Sequence, residues 1–274
     1  MTHNNMKSAV LRALVYSSAA ITISLVAIII GYILISGIPY LRPSLFALKY
    51  TSENCSMFPA IINTVIVIAL SLLIGLPVGV FSAVYLTEYA RRGSRYVKLI
   101  RMMADTLSGI PSIVYGLFGY LFFNIALGWG YSILSGSVTL SMMILPLIMR
   151  TSEESLLAVP DIYREGSYGL GAGKLRTIFS IVLPAAAPGI FAGVLLSIGR
   201  IVGETAALVF TAGTVAGIPG SVMGSGRTLS VHMYVLMSEG LHINEAKGVA
   251  VVLLCLVLAL NSVSSHMQRR LKSR

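Results

Sequence analysis

Charged residues are scarce in this chain of 274 residues, since only 11% are Asp, Glu, Lys or Arg. Soluble domains typically carry about 25%. Hydrophobic residues make up 56% of the chain, and its mean hydropathy is +0.85. Several apolar runs approach or exceed the roughly 20 residues that a helix needs to cross a bilayer. This composition excludes an ordinary soluble domain and predicts an all-α membrane protein with several spans.

The residues of disulfides and metal sites are also scarce. Of the two cysteines, Cys55 lies in a predicted outer loop, open to thiol reagents, and Cys255 lies within a predicted span. Cysteines at different depths cannot reach the geometry of a disulfide, so we expect none. His232 and His242 have no cysteine or carboxylate at a metal-binding spacing, and we expect no metal site.

Nucleotide-binding and catalytic motifs are missing as well. The stretch "GLGAGK" (169–174) fails as a P-loop, because Tyr168 replaces the first glycine and Leu175 replaces the hydroxyl residue. We interpret its glycines as a hinge that terminates a helix. The spans contain no Ser/Lys set, paired aspartates or His-x-x-x-His, so we do not predict an intramembrane enzyme.

The apolar runs predict six spans. They are Val15–Ile35, Ile61–Leu86, Met103–Leu127, Val138–Met149, Gly189–Ala212 and Gly248–Val263. Fifteen of the 20 Lys and Arg residues lie in the termini and in the gaps 88–102 and 150–188, which predicts that these parts are cytoplasmic. No cleavage site follows the first run, so we expect residues 1–57 to form an uncleaved anchor with an outer loop, and 58–274 the core.

The cytoplasmic gap 150–188 carries helix signals of its own. Thr151 and Glu154 fit a capping box, and Pro160 suits the first turn of a second helix. After the glycine hinge, "LRTIFSIVLP" (175–184) resumes an apolar pattern. We interpret this helix–glycine–helix element as a docking surface; an ordinary interfacial loop is the alternative. On the outer side, "GSGRTL" (224–229) is interpreted as a flexible loop.

The same gap contains a spaced motif. The stretch "EGSYGLG" (165–171), followed after nine residues by "IVLP" (181–184), resembles the EAA motif of ABC importer permeases. Five residues stand at the matching positions: Glu165, Gly171, Ile181, Leu183 and Pro184. Gly166 and Ser167 replace the alanines of the family. The resemblance implies a coupling helix that sits in a cleft of an ATPase subunit.

Two further stretches, "SGIPSIVYGLFGY" (108–120) and "IGRIVGETAALVFTAG" (198–213), resemble the PstA type of permease subunit in phosphate ABC importers. That family has the type I importer fold, a five-helix core plus an N-terminal helix. The resemblance implies a non-enzymatic subunit in a prokaryotic plasma membrane, paired with a second, homologous permease subunit. It also implies two ATPase subunits, which bind ATP and Mg, and an extracytoplasmic phosphate-binding protein. The sister permease type, a permease for sulfate or molybdate, and a passive anion channel remain alternatives.

Arg200 and Glu204 lie near the middle of the fifth predicted span, where burying an arginine costs about 2.5–3.5 kcal/mol. On a continuous helix they share one face with small and polar residues: Gly193, Ser197, Ala207 and Thr211. We interpret Arg200, Glu204, Ser197 and Thr211 as a wall of the substrate pathway, because the arginine fork can bind an oxyanion. The alternative is an i,i+4 ion pair that only neutralises itself.

The charge asymmetry makes a prediction about topology. The tail Arg269–Arg274, with four basic residues, should lie in the cytoplasm together with the N-terminus. Protease added outside intact cells should leave an epitope fused to this tail intact, and should remove it once the membrane is permeabilised. Cleavage in intact cells would contradict the topology.

Overall fold

The computed structural model describes residues 2–91 and 93–272, and the regular structure of these residues is entirely helical. Arg92 and the side chains of residues 2–7, 9, 10 and 264–272 lie outside the description, as does the basic end of the tail. The helices are α1 (Thr2–Gly37), α2 (Phe58–Val84), α3 (Arg95–Ser108), α4 (Ser112–Gly119), α5 (Ile133–Leu157), α6 (Asp161–Gly169), α7 (Lys174–Thr177), α8 (Leu183–Gly203), α9 (Ala206–Thr211), α10 (Leu229–Ser238) and α11 (Ile243–Lys272).

Three π turns and two short 3₁₀ segments extend these helices. The π turns are Tyr85–Tyr89 after α2, Tyr120–Ala126 after α4 and Ile178–Val182 between α7 and α8. The 3₁₀ segments are Ile38–Tyr40 and Pro43–Phe46, on the outer side of α1. Because helix continues through the third π turn, Lys174–Gly203 forms one helical span of 30 residues.

Five helices in the described part of the chain are long and apolar enough to cross a membrane, and a bent pair adds a sixth candidate. The bent pair corrects the third predicted span, which we expected to be one helix. Arg95–Ser108 and Ser112–Ala126 meet at an angle of 98°. Pro111 lies in the break, and the residue before a proline is disfavoured from helical backbone, which explains the interruption.

The fourth span is longer than its apolar run. Helix α5 has 25 residues, and Ser132 caps it by accepting a hydrogen bond from the amide of Ser135. Thr151 and Glu154 therefore lie inside α5, and the predicted capping box is wrong. Thr151 instead donates its hydroxyl to the carbonyl of Leu147. The helix runs past the apolar residues because polar side chains also form helix, so the cytoplasmic gap starts after Leu157 instead of at residue 150.

Helix α5 is the centre of the bundle and the most buried of the candidate spans. It packs closely against α2 through serines: Ser71 donates to the carbonyl of Ser137, and Ser141 donates to the carbonyl of Ser71. Small residues of this kind let two backbones approach within a membrane. Ile144 and Ile148 of α5 are fully buried in the adjoining core. The tight pairing of α2 and α5 gives the subunit its rigid framework.

The segments predicted to lie on the outer side form an ordered cap, which corrects two sequence predictions. Cys55 is completely buried instead of open to reagents, and both cysteines are free, as expected. Arg227, in the stretch interpreted as a flexible loop, is only 3% exposed and stacks over the ring of Tyr50 at 4.6 Å. His232 is also buried, and its Nε2 lies 3.2 Å from the carbonyl oxygen of Cys55.

Burial of Cys55 predicts a specific pattern of thiol labelling. Burial raises the pKa of this thiol, so both the reactive thiolate and access to it are reduced. With Cys255 replaced by serine, a maleimide should fail to label Cys55 in the native protein and should label it after denaturation. The matched control is Ser52→Cys with Cys55→Ser, because residue 52 is exposed in the same turn. Equal labelling rates for the two native proteins would contradict the ordered cap.

Candidate functional site

The fifth predicted span is interrupted beside its two charged residues. Helix α8 ends at Gly203, Glu204 has extended backbone with ψ 127°, and α9 starts at Ala206. The carboxylate of Glu204 explains the break, because its Oε1 accepts the amide hydrogen of Ala207 at 3.0 Å. A carboxylate at a helix N-terminus satisfies a free N–H group and interacts favourably with the helix dipole. The prediction of one continuous helix through 193–211 is therefore wrong.

Arg200 lies in the last turn of α8, beside this break, and is partly exposed. Its side chain forms no ion pair with any acidic residue in 2–91 or 93–272. The predicted i,i+4 pair with Glu204 is absent there, since Glu204 turns to α9. The geometry thus leaves a cation free at the end of an interrupted membrane helix.

Two interrupted helices meet at this point. A Cβ on Gly116 of α4 would lie 2.7 Å from the Cα of Ala207, so α4 and α9 can approach this closely only with glycine there. Helix α10 closes the same region, because the hydroxyl of Ser230 donates to the carbonyl of Glu204 at 2.6 Å. Within a membrane, non-helical backbone is tolerated where it is buried in protein or lines a water-filled cavity.

The remaining two residues of the predicted wall occupy other positions. Ser197 and Thr211 are both fully buried, and their hydroxyls donate to carbonyls of their own helices, those of Gly193 and Ala207. The break in the helix separates Thr211 from the face that carries Arg200. The structure therefore brings Arg200 and Glu204 together at the break, and it places Ser197 and Thr211 inside the subunit.

The glycine hinge is found where the sequence predicts it. Helix α6 ends in a Schellman motif: the amide of Ala172 donates to Ser167 O at 3.1 Å, and that of Gly171 to Tyr168 O at 2.9 Å. Gly171 has φ +81°, a left-handed conformation that glycine adopts without a Cβ penalty. Its position one residue past the helix cap at Leu170 makes Gly171 the stop signal of α6.

A hydrogen bond holds the two arms of the hinge together. The hydroxyls of Ser167 and Thr177 lie 2.8 Å apart, and both side chains are buried between α6 and α7. Ser167, which replaces an alanine of the family motif, thus contacts Thr177 across the hinge. Ile181 lies in the π turn after α7, and Leu183 and Pro184 start α8. The five matched residues consequently span α6, the hinge and the start of the long helix that leads to Arg200.

The solvent-exposed surface of the hinge carries apolar as well as charged side chains. Glu165 is exposed on α6, and it is surrounded in sequence by exposed apolar side chains. The most exposed of them are Ile162 (70%), Tyr163 (54%), Leu170 (91%) and Leu175 (63%). The sequence analysis missed these four, although adjacent apolar residues in a short, otherwise polar cytoplasmic segment are a usable signal. Exposed patches of this kind mark interaction sites.

No group of three or more His, Cys, Asp or Glu residues in the described chain could hold a metal ion. Pairs of charged residues join helix ends on the side predicted to be cytoplasmic. Arg101 of α3 and Glu153 of α5 form one such pair, in which the glutamate is 9% exposed. Within the part of the chain that the structure describes, the arrangement offers Arg200 without an ion-pair partner and an exposed apolar patch around Glu165.

The chain is similar to known transport proteins. Residues 75–274 match the family model described as binding-protein-dependent transport system inner membrane component. A probable ABC transporter permease protein, YqgI of Bacillus subtilis, is 31% identical over 247 residues, covering 85% of this chain and 83% of that protein. The phosphate transport system permease protein PstA of Haemophilus influenzae is 35% identical over 217 residues, covering 77% and 73%.

A solved structure shows the same fold. A bacterial ABC transporter involved in the import of the acidic polysaccharide alginate aligns with a TM-score of 0.67 at 20% identity. The alignment covers 94% of this chain and 95% of that one. The likeness confirms the predicted all-α importer permease fold.

The Schellman motif predicts the effect of replacing Gly171. A valine at φ +81° is strained, at a cost of about 1–2 kcal/mol, so α6 should fray at its C-terminal end. Hydrogen exchange of the amides of residues 168–172 should be faster in Gly171→Val than in the unmodified protein. Gly169→Ala is the matched control, because Gly169 lies in the helix and its Cβ would meet nothing within 4 Å. Unchanged exchange in Gly171→Val would rule out this role.

Proposed function

Because the chain belongs to the binding-protein-dependent transport system inner membrane component family, we propose that it is a permease subunit of an ATP-driven phosphate importer. An anionic substrate is supported by Arg200, which lies at the break between α8 and α9 and has no ion-pair partner among the described residues. The relatives named as phosphate permeases support phosphate as that anion.

Arg200 is the proposed contact for the substrate. Its planar guanidinium can donate two parallel hydrogen bonds to two oxygens of a phosphate, which a lysine cannot do. Among the residues that the structure describes, no carboxylate pairs with Arg200, so its charge is available for this purpose. Tyr115 lies on α4, the other interrupted helix at this point, and its hydroxyl donates to the carbonyl of Leu107 at 2.9 Å. The break therefore presents a local site for an oxyanion that is crossing the membrane.

Glu204 has a different proposed role from Arg200. Its carboxylate binds the first turn of α9, so it fixes the geometry of the break instead of neutralising the arginine. A negative charge a few residues away also limits how tightly the site holds an anion. Conduction requires binding that is favourable enough for entry and weak enough for release. Glu204 would in this way serve both the shape of the site and the exit of its substrate.

The cytoplasmic hinge is the proposed docking surface for an ATPase subunit. Glu165 and the exposed apolar side chains of α6 and α7 form a compact patch, which the buried Ser167–Thr177 contact holds rigid. Movement of this patch would reach Arg200 through the continuous helix Lys174–Gly203. ATP and Mg would be bound by two partner ATPase subunits, and this chain would contribute no cofactor site.

The proposed assembly contains a second, homologous permease subunit, with the translocation pathway between the two. An extracytoplasmic phosphate-binding protein would deliver the substrate to the outer cap. We place the protein in the plasma membrane of a prokaryote with both termini in the cytoplasm, which agrees with the basic residues of 88–102 and the tail. A permease for sulfate or molybdate is the second candidate, since the arginine fork suits these anions too.

Uptake of labelled phosphate by Arg200 variants tests the proposal. Arg200→Ala should abolish uptake, and Arg200→Lys should leave little, because an ammonium keeps the charge but loses the two-pronged geometry. Glu204→Gln should insert normally and keep the hydrogen bond to Ala207, whereas Glu204→Leu loses a cap worth about 1 kcal/mol. Uptake is measured in cells lacking other phosphate importers, with membrane levels of each variant checked.

The control for the loss of an arginine is Arg95→Ala, which removes an exposed arginine at the start of α3 and should transport normally. The double variant Arg200→Leu/Glu204→Leu removes both charges at once. Normal phosphate uptake by this double variant would show that Arg200 is not a substrate contact. Uptake of labelled sulfate or molybdate by the unmodified importer, without uptake of labelled phosphate, would favour the second candidate.

A further inference from the structure

A buried ion pair joins the cytoplasmic hinge to the membrane core. Arg164 of α6 donates from Nη2 to Glu88 Oε1 at 2.7 Å and from Nε to the same oxygen at 3.1 Å. The two side chains are only 14% and 6% exposed. Glu88 lies in the π turn Tyr85–Tyr89 that ends α2. The pair therefore connects the proposed docking helix to one of the two central helices of the bundle.

The same guanidinium also reaches the end of α5. Its Nη2 donates to the carbonyl of Leu156 at 3.0 Å, and its Nη1 donates to the carbonyl of Val159 at 2.8 Å. Carbonyl groups at a helix C-terminus have no partner within the helix and are satisfied here by a cationic side chain. One side chain thus binds three elements together: α6, the end of α2 and the end of α5.

The packing around this contact explains why it is important. Helix α6 packs mainly against α7 and the π turn Ile178–Val182. Between α6 and the end of α2 there is a hollow of about 500 Å³, lined among others by Thr87, Ala90 and Pro160. Ile178 and Val182 of this π turn belong to the same buried apolar cluster as Ala83 of α2 and Leu156 of α5. Apolar side chains do not fill the hollow, so the polar contacts of Arg164 attach α6 itself to the framework in addition to that cluster.

We infer that the Arg164–Glu88 pair transmits displacement of α6 to α2 and α5 when the ATPase subunits move. This inference rests on the proposed function, because it takes α6 as the surface on which an ATPase docks. Arg164 adjoins the exposed Glu165 in sequence, but its own side chain is buried. Glu165 would therefore contact the ATPase subunit, and Arg164 would transmit the motion to the rest of the subunit. Arg164 is a positioning residue, since it contacts neither ATP nor the transported anion.

The two routes out of the docking helix differ in kind. The hinge and the continuous helix Lys174–Gly203 form a covalent route to Arg200. The ion pair forms a second route, to the tightly packed pair α2 and α5. Two attachments prevent the docking helix from rotating about a single connection, so the whole subunit follows its movement. Loss of the ion pair should leave the ATPase docked while transport per ATP falls.

A double-mutant cycle in the complete importer, reconstituted in liposomes, tests this role. The variants are Glu88→Gln, Arg164→Gln and the two combined. We measure co-purification of the ATPase subunits, ATP hydrolysis, and labelled phosphate taken up per ATP hydrolysed. Each single variant should retain the ATPase subunits and basal hydrolysis but lower the uptake per ATP by about fivefold or more, as is typical for a lost coupling between distant sites. The combined variant should be no more impaired than Arg164→Gln alone, because that variant already lacks the contact with Glu88.

Several results would overturn the inference. One is unchanged uptake per ATP in both single variants. A second is that the effects of the two substitutions multiply in the combined variant, as independent effects would. A third is loss of the ATPase subunits from Glu88→Gln, since this nearly isosteric variant should fold. Glu165→Lys provides the contrast, since it should weaken docking itself. Glu154→Gln is the matched control, because Glu154 is exposed in an ion pair with Arg150 and should transport normally. Absence of phosphate uptake by the unmodified importer would count against the proposed function instead.

Discussion

The need to satisfy every backbone polar group in a membrane governs the arrangement of this subunit. An unpaired amide or carbonyl costs several kcal/mol in hydrocarbon, so a helix can be interrupted only where side chains replace the lost bonds. Glu204 supplies an acceptor to α9, and Ser230 supplies a donor to the carbonyl of Glu204. At the other break, the hydroxyl of Tyr115 donates to the carbonyl of Leu107. The candidate site exists because these contacts make two breaks possible in one place.

The two functional regions are linked by rigid elements. The helical span Lys174–Gly203 starts at the hinge and ends three residues after Arg200, while Arg164 attaches the same hinge to α2 and α5. The serine contacts between α2 and α5 keep these two helices together as one body. In the proposed coupling, a push on the patch around Glu165 would reach the break as a movement of whole helices, since close-packed interiors transmit strain.

Much of this fold could be predicted from the sequence, because long apolar runs and the spacing of Glu165, Gly171 and Pro184 are local patterns. Gly171 was predicted as a helix stop from its neighbours alone, and its left-handed backbone confirms this. The break after Gly203 could not be predicted in this way. An i,i+4 pattern assumes a continuous helix. The position of the break depends on the contacts of Glu204 with Ala207 and Ser230, and these contacts arise only in the folded chain. Burial of Cys55 and Arg227 likewise depends on the cap formed by distant segments.

The three π turns have a consequence for how such chains can change in length. An α-helix turns about 100° per residue, so deleting one residue inside it rotates everything that follows to a new face. A π turn holds one residue more than the regular helix needs, and removal of that residue restores α geometry. A single-residue deletion within Ile178–Val182 would therefore leave both Arg200 and the docking surface in register. These turns are positions where evolution can shorten the chain without reorienting its helices.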